Sequence, residues 1–348
     1  MPRVAIERLK LIKTDDLLDL VGANLEAIRS ALLETSYRDE ILKISKDETS
    51  SISMEEALLE NYAKTIKNLV RFSVGEIKHV LLAIVEKIEI SNIKTLLRAA
   101  KAKMNANEAV KHLVPVGKLN KERCRDILST SSTVKDITEA LSDLEYGKIM
   151  REVLAENKIN GDLSALELAL DRAANNKILE AVEKLKGVDK KIAKNVLGIE
   201  IDATNVKIIL RGKARGTPKD QLKMYLMPPS LLDDKTLEKA IESTDVKSLA
   251  EYLLGVAETA KNPFYKSVFS QILREANSSL SKIEVILDKA PLGISLRMLK
   301  KYLKYYNIGY ILSFLNLKWF EIRNLRCIIV GSDRKTTPTQ IKRLLILR

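Results

Sequence analysis

The stretch Asp202-Ala-Thr-Asn205-Val-Lys207-Ile-Ile-Leu-Arg211 decides the fold of this chain, because the sequence contains it in three related copies. The other two are Glu89-Ile-Ser-Asn92-Ile-Lys94-Thr-Leu-Leu-Arg98 and Glu321-Ile-Arg-Asn324-Leu-Arg326-Cys-Ile-Ile-Val330. The copies share an acid, an Asn, a base and aliphatic residues at matching positions, and they begin 113 and 119 residues apart. Self-similarity at a nearly constant period indicates a repeat architecture. We therefore expect three homologous units.

Composition and spacing predict that these units are all-α. Among 348 residues there are only 13 Gly and 8 Pro, which favours helices over short strands joined by many turns. Within the first copy, Ile93, Leu96 and Leu97 fall on one helical stripe. We predict a first repeat with an N-terminal helix at 1–139, a second repeat at 140–256, and a third at 257–348 that is truncated at its C-terminal end.

Two further patterns help to place the helices. Apolar residues at helical spacing predict one or two amphipathic helices over residues 4–46. Three Ser-x-x-Glu sequences predict capping boxes at helix starts, and they are Ser53 to Glu56, Ser164 to Glu167 and Ser281 to Glu284. The glutamates precede the motif asparagines by 36, 38 and 40 residues, so the boxes stay in register with the motif.

The polar residues of the repeated motif divide into two groups on a helix. The acids and amides lie beside or inside the apolar stripe, where they must be hydrogen-bonded. We expect them to tie each helix to a neighbouring element; they are Glu89, Asn92, Asp202, Asn205, Glu321 and Asn324. The bases point to the other side, either towards a partner or simply into solvent. These partner-facing candidates are Lys94, Arg98, Lys207, Arg211 and Arg326.

Catalytic signatures are sparse in this sequence. Two His and two Cys make a His/Cys metal site or a Cys–His nucleophile improbable. Neither GxxxxGK[ST] nor GxGxxG is present, so no phosphate loop is predicted. We predict no catalytic, cofactor-binding or metal-binding residue, and no enzymatic activity.

Positive charge concentrates at the C-terminal end of the sequence. Residues 289–348 contain 13 Lys and Arg but only Glu321 and Asp333 as acids, and 7 of the 16 aromatic residues, including Tyr305 and Tyr306. An all-helical nucleic-acid-binding protein is therefore an alternative. The other interpretation is a solvated basic face with aromatic residues in the core. No run of 18 apolar residues occurs, so no membrane-spanning helix is expected.

The three motifs resemble those of the C subunits of archaeal-type (A-type) ATP synthases, the family that also includes the d subunits of vacuolar ATPases. The family pattern Asp-x-x-Asn-hydrophobic-Lys-x-Ile-Leu-Arg is met most closely at 202–211, and 89–98 is a second copy. The acidic-aliphatic start of each unit is met at 167–171 and 284–288. The sequence departs from the family in its opening residues, at Ala99-Ala100, and at Val330, which stands where the other copies have Arg.

The resemblance implies three helical repeats around a pseudo-three-fold axis, which together form a funnel. It also implies a non-catalytic central-stalk protein without cofactors, a socket that couples the rotor shaft to the membrane rotor ring in ATP synthesis or ion pumping. The implied partners are the shaft subunits and the ring, not nucleic acid. The implied location is the cytoplasmic face of the cell membrane, as a peripheral protein in a hetero-oligomeric complex.

Overall fold

The computed structural model describes residues 2–156, 163–302 and 307–348. Every regular element in these ranges is helical, which confirms the all-α class. The helices are α1 (Pro2–Leu9), α2 (Thr14–Asp19), α3 (Leu25–Leu32), α4 (Arg38–Ile41), α5 (Ser51–Phe72), α6 (Gly75–Lys101), α7 (Ala106–Ala109), α8 (Lys121–Thr130), α9 (Val134–Ala140), α10 (Glu145–Glu156), α11 (Ser164–Lys184), α12 (Gly187–Ala214), α13 (Lys219–Tyr225), α14 (Asp234–Glu242), α15 (Val246–Thr259), α16 (Pro263–Arg274), α17 (Leu280–Tyr302), α18 (Ile308–Asp333) and α19 (Pro338–Leu344). A 3-10 turn, Val110–His112, follows α7. None of the helices in the described ranges is long and apolar enough to cross a membrane.

Each copy of the motif lies in a long helix, and the three helices end in the same way. Two residues after the last helical position, the backbone adopts a left-handed conformation. The residues in this conformation are Lys103 (φ 50°), Gly216 (φ 67°) and Lys335 (φ 55°). In each case the next N–H bonds back to a carbonyl five residues earlier, at 2.8–2.9 Å. This hydrogen bond is the mark of a Schellman ending, which satisfies carbonyls that the helix leaves free.

The N-terminal part of the chain is more divided than its sequence predicts. Instead of one or two helices over residues 4–46, there are four short ones, α1 to α4. Gly22 separates α2 from α3 with a φ of 93°, a conformation that costs Gly little. Asn24 then caps α3 by accepting a hydrogen bond from the N–H of Ala27 at 2.8 Å. The apolar periodicity crosses these breaks and therefore overstated the helix lengths.

The chain forms two compact units by its internal contacts. The first comprises Met1–Lys177 and Leu317–Arg348, and the second comprises Ile178–Asn316. These limits fall inside α11 and α18. They do not test the three repeats, whose predicted boundaries stay a prediction, as does the funnel.

The core of the first unit contains the apolar stripe of the first motif. Ile93, Leu96 and Leu97 are fully buried, as their spacing predicts. They belong to one cluster with residues of α8, α9, α10 and α11, among them Ile127, Ile137, Met150 and Leu166. Burial of each such side chain contributes about 1.5–3 kcal/mol. This packing holds the motif helix in a defined rotation.

In the second unit, α12 packs along α17 and α15 packs against α16. The apolar residues of the second motif, Ile209 and Leu210, are buried. So are Val268 and Phe269 on α16 and Leu287 on α17. The same motif positions are thus buried in both units.

A difference in side-chain size between the repeats shows how closely each motif helix packs against a neighbouring helix. At Gly212 a Cβ atom would collide with the side chain of Leu222, and at Gly331 it would lie 2.6 Å from Cδ1 of Ile341. The first repeat has alanine at both equivalent positions, Ala99 and Ala109, and both are buried. The second and third repeats therefore combine a glycine with a large side chain at these two positions, whereas the first repeat has two alanines there.

Candidate functional site

The motif asparagines make one contact that is identical in all three repeats. Each side-chain amide binds the backbone of the residue 22 positions later, donating to its C=O and accepting from its N–H. The pairs are Asn92 with Val114 (2.7 and 3.1 Å), Asn205 with Met227 (3.3 and 2.7 Å) and Asn324 with Ile346 (2.8 and 2.9 Å). All three asparagines are buried. A buried amide with both of its groups paired rigidifies the loop that it holds.

The motif acids also accept hydrogen bonds from backbone N–H groups. Glu89 accepts from Lys118 and Leu119. Asp202 accepts from Leu231 at 3.1 Å and Leu232 at 3.2 Å.

In the third copy the donor comes from a different part of the chain. Glu321 accepts from the N–H of Ile12 at 2.5 Å, so here the N-terminal segment takes the place of a downstream loop. Within the first unit, the third motif is thereby joined to the beginning of the sequence.

Burial controls the protonation of two of these acids. It raises the pKa of Asp202 to about 7, although the hydroxyl of Tyr265 and two backbone N–H groups favour the charged form. All three donors bind Oδ2, and Oδ1 has no hydrogen-bond partner among the described residues. Burial also raises the pKa of Glu89, against the N–H groups of Lys118 and Leu119. Both acids hold loops in place.

The first two motifs place their basic residues in ion pairs with α11 and α17, the long helices that precede the next motif helix. Lys94 binds Asp171 at 2.6 Å, and Lys207 binds Asp288 at 2.9 Å. The two arginines each bind a glutamate through two nitrogens. The distances are 2.7 and 2.6 Å for Arg98 with Glu167, and 2.5 and 3.1 Å for Arg211 with Glu284. Paired N–H donors suit a carboxylate geometrically.

These ion pairs explain a prediction that was wrong. None of the three Ser-x-x-Glu sequences is the capping box that it resembles. Helix α5 is capped by Ser50 with Ser53 in the reach-back position, α11 begins at Ser164, and α17 begins at Leu280. The glutamates keep register with the motif because two of them, Glu167 and Glu284, bind its arginines. A cation from another repeat competes for the carboxylate that local spacing assigns to the helix end.

The third motif differs because it lacks the terminal arginine. Arg326 reaches Glu55 of α5 at 2.9 Å, but Val330 stands at the position of Arg98 and Arg211. The carboxylates equivalent to Glu167 and Asp171 are Glu56 and Glu60, and Lys121 of α8 binds them at 2.5 and 2.6 Å. Lys121 therefore supplies from within the first repeat the positive charge that Val330 cannot.

The sequence patterns above did not predict a tyrosine that recurs before each of the helix glutamates. Tyr37, Tyr146 and Tyr265 are buried and precede the helix glutamates by 19, 21 and 19 residues. Each hydroxyl donates to a carboxylate on a motif helix: Glu321 at 2.8 Å, Glu86 at 2.7 Å and Asp202 at 2.5 Å, respectively. A search for residue types at a nearly constant distance before those glutamates would have found these tyrosines.

Part of the basic C-terminal end is internal. Lys318 is 3% exposed, contacts Oε1 of Glu321 and Oγ of Ser36 at 3.1 Å each, and lies 3.7 Å above the ring of Tyr37. Burial lowers the pKa of Lys318 while Glu321 opposes that shift. Arg348 donates to the carbonyl of Ile12 at 2.8 Å. Lys318 and Arg348 therefore make hydrogen bonds inside the first unit.

Three of the five described aromatic residues in that end are also internal. Tyr310, Phe314 and Phe320 are buried, and Trp319 is 37% exposed and stacks near Tyr62 at a ring distance of 5.1 Å. Tyr305 and Tyr306 lie outside the described residues. The ranges that the structure describes contain no group of three or more His, Cys, Asp or Glu residues that could hold a metal ion.

Comparison with known proteins assigns this arrangement to a family. Residues 1–344 match the family described as "ATP synthase (C/AC39) subunit". The C subunit of the A-type ATP synthase of Methanocaldococcus jannaschii is 27% identical over 351 aligned residues, which cover 99% of this chain and 84% of that protein. The protein of the same name from Methanosphaera stadtmanae is 30% identical over 297 residues, or 84% of this chain and 74% of that protein. The Methanosarcina mazei protein is 24% identical and covers 99% of this chain and 91% of its own length.

Proposed function

Because the chain belongs to the ATP synthase (C/AC39) subunit family, we propose that it is a non-catalytic central-stalk component of an A/V-type ATP synthase. In this role it is the socket that couples the central rotor shaft to the membrane rotor ring. Its partners are the shaft subunits and the ring, and it is a peripheral protein on the cytoplasmic face of the membrane.

The observation that carries this proposal is the repeated bracing between one repeat and the next. A coupling protein that transmits torque has to resist shear between its parts. Each motif helix contributes a buried amide that holds a loop, a tyrosine–carboxylate hydrogen bond and at least one ion pair to a helix of another repeat. Buried hydrogen-bonded networks of this kind favour one conformation over others.

We also propose that the motif bases face partners in the assembled complex. The strongest candidates are Arg98 and Arg211, whose side chains are 64% and 54% exposed although they bind glutamates. Lys94 and Lys207 are only 19% and 23% exposed, and Arg326 is 36% exposed. For these three, contact with a partner is a weaker expectation.

Co-purification and coupling test the proposal together. The tagged chain, co-expressed with the other subunits of its complex, should co-purify with shaft and ring subunits, and the isolated chain should not hydrolyse ATP. Complexes assembled without it should hydrolyse ATP in their catalytic part but fail to pump ions into vesicles. The proposal is wrong if the chain binds neither shaft subunits nor membranes that contain the ring.

A further inference from the structure

One face of α17 carries only positive charge. Lys282, Lys289 and Lys300 are spaced by 7 and 11 residues, which places them within about 20° of one line along the helix. All three are exposed. The line extends over about 27 Å at 1.5 Å per residue. The acids of α17, Glu284 and Asp288, point to the other side and bind Arg211 and Lys207.

The three lysines have no counterion within the described part of the chain. No side-chain hydrogen bond or ion pair joins Lys282, Lys289 or Lys300 to any of the described residues. Arg297 lies on the flank of the same face, with its guanidinium 5.9 Å from the ring centre of Phe264. A row of cations without counterions on one helix face attracts an anionic partner.

The repeats provide an internal comparison. When the helices are aligned on their conserved glutamate positions, Glu56, Glu167 and Glu284, the first two lysines have equivalents in α5 and α11. These are Met54 and Asn61 in α5 and Ala165 and Arg172 in α11. Met54 and Asn61 are buried. Two exposed cations at these positions occur only in the third repeat, so the shared fold does not require them.

We propose that this basic face of α17, defined by Lys282, Lys289 and Lys300, binds an acidic helical segment of another protein in the same complex. The inference rests on the proposed function. The face is narrow and one helix long, with Pro291 inside the helix between Lys289 and Lys300, and it fits a second helix that carries carboxylates along one side. Val285, at 38% exposed, is its nearest large exposed apolar side chain. A helix that inserts into a membrane interface needs a broad apolar face, and this helix face has none.

Zero-length crosslinking of the assembled complex identifies the partner directly. A carbodiimide joins lysines only to carboxylates that they touch, and mass spectrometry locates the joined residues. We expect crosslinks from Lys282, Lys289 and Lys300 to acids at helical spacing in one other protein of the complex. Crosslinks confined to exposed lysines elsewhere, such as Lys235 and Lys239, would contradict the proposal.

Charge reversal measures the contribution of the face. The variant K282E/K289E/K300E should associate with the complex about tenfold more weakly than wild type at about 0.1 M salt, and the difference should shrink at high salt. The control K219E/K235E/K239E changes net charge equally at other exposed positions and should bind like wild type. Circular dichroism melting should be the same for all three proteins.

The possible results separate this inference from the proposed function. If wild type does not join the complex at all, the proposed function fails. If wild type and K282E/K289E/K300E join equally well, only the basic face is wrongly assigned. If K282E/K289E/K300E assembles normally but loses binding to duplex DNA, or to vesicles of phosphatidylserine and phosphatidylcholine, the ligand of the face is nucleic acid or lipid headgroups. That result overturns the proposal.

Discussion

The side-chain amide of Asn205 holds both the N–H and the C=O of Met227, 22 residues further along the chain. Asn92 holds Val114 and Asn324 holds Ile346 in the same way and at the same separation. A carboxylate could accept from the N–H but could not donate to the C=O. The requirement for a donor and an acceptor on one short side chain explains why all three copies carry Asn.

Removal of this amide should destabilise the second unit. Asn205→Ala removes both hydrogen bonds that the amide makes to the buried backbone of Met227, so we expect a loss of about 2–4 kcal/mol in the free energy of unfolding. Urea unfolding and hydrogen exchange of the loop that contains Met227 measure it. Asn68→Ala, at an exposed position on α5, should change stability by less than about 0.5 kcal/mol. Equal effects of the two substitutions would show that the amide clamp contributes nothing.

The packing of Gly212 against Leu222 can be tested by introducing the two alanines that the first repeat has at the equivalent positions. Gly212→Ala brings a Cβ atom into the side chain of Leu222, and we expect a destabilisation of about 1–3 kcal/mol. The double variant Gly212→Ala/Leu222→Ala reproduces the pair Ala99 and Ala109 and should be more stable than the sum of the single effects predicts. Thermal melts of wild type, both single variants and the double variant give this coupling energy. Strict additivity would rule out the proposed packing exchange.

Lys121 gives Glu56 and Glu60 a positive charge that, in the other two motifs, comes from an arginine at the position of Val330. Lys121→Ala leaves Glu56 without its cation and Glu60, four residues away, with Lys43 alone at 3.3 Å, and we expect a loss of about 1–2 kcal/mol. Val330→Arg places a cation where the other two motifs have one, and it should recover part of that loss. Lys78→Ala, which removes an exposed lysine from α6, is the control. Chemical unfolding at low and high salt should show that the effect of Lys121→Ala decreases with salt; no recovery by Val330→Arg would contradict the equivalence.

Asp202 should make stability depend on pH in an unusual direction. Burial raises its pKa from 3.8 to about 7, so between these values the folded state binds a proton that the unfolded state does not. The contribution of Asp202 to the free energy of unfolding should therefore fall as pH rises through that window. Each unit of pKa difference corresponds to about 1.4 kcal/mol, so the total change is on the order of a few kcal/mol.

Asp202→Asn removes this dependence while it keeps an oxygen for the N–H groups of Leu231 and Leu232. The stability of wild type relative to Asp202→Asn should fall between about pH 4 and pH 7 in urea unfolding experiments. Asp136→Asn is the control of opposite sign, because backbone N–H groups of Ser132 and Thr133 hold the pKa of Asp136 below its usual value. The contribution of Asp136 is lost as pH falls. Parallel pH profiles for wild type and Asp202→Asn would show that Asp202 stays ionised.

The local sequence predicted burial correctly where the result depends on the geometry of a single helix. The apolar spacing of the first motif predicts the buried stripe of Ile93, Leu96 and Leu97, and the structure confirms it. The same periodicity predicted too few helices before residue 46, because it does not register the turn at Gly22. The Ser-x-x-Glu pattern gave the wrong partner for Glu167, because a spacing of three residues cannot reveal a competing arginine 69 residues away.

By itself, the sequence determined the helical class and the three related motifs, because periodicity and self-similarity are properties of the chain alone, and the resemblance of those motifs to a known family indicated the family. Only the tertiary structure decided the partners: Tyr37 with Glu321, Lys121 with Glu56 and Glu60, and the N–H of Ile12 in place of a downstream loop. Buried polar groups must be paired, but many residues can satisfy that requirement. Which of them does so depends on which helices packing brings together.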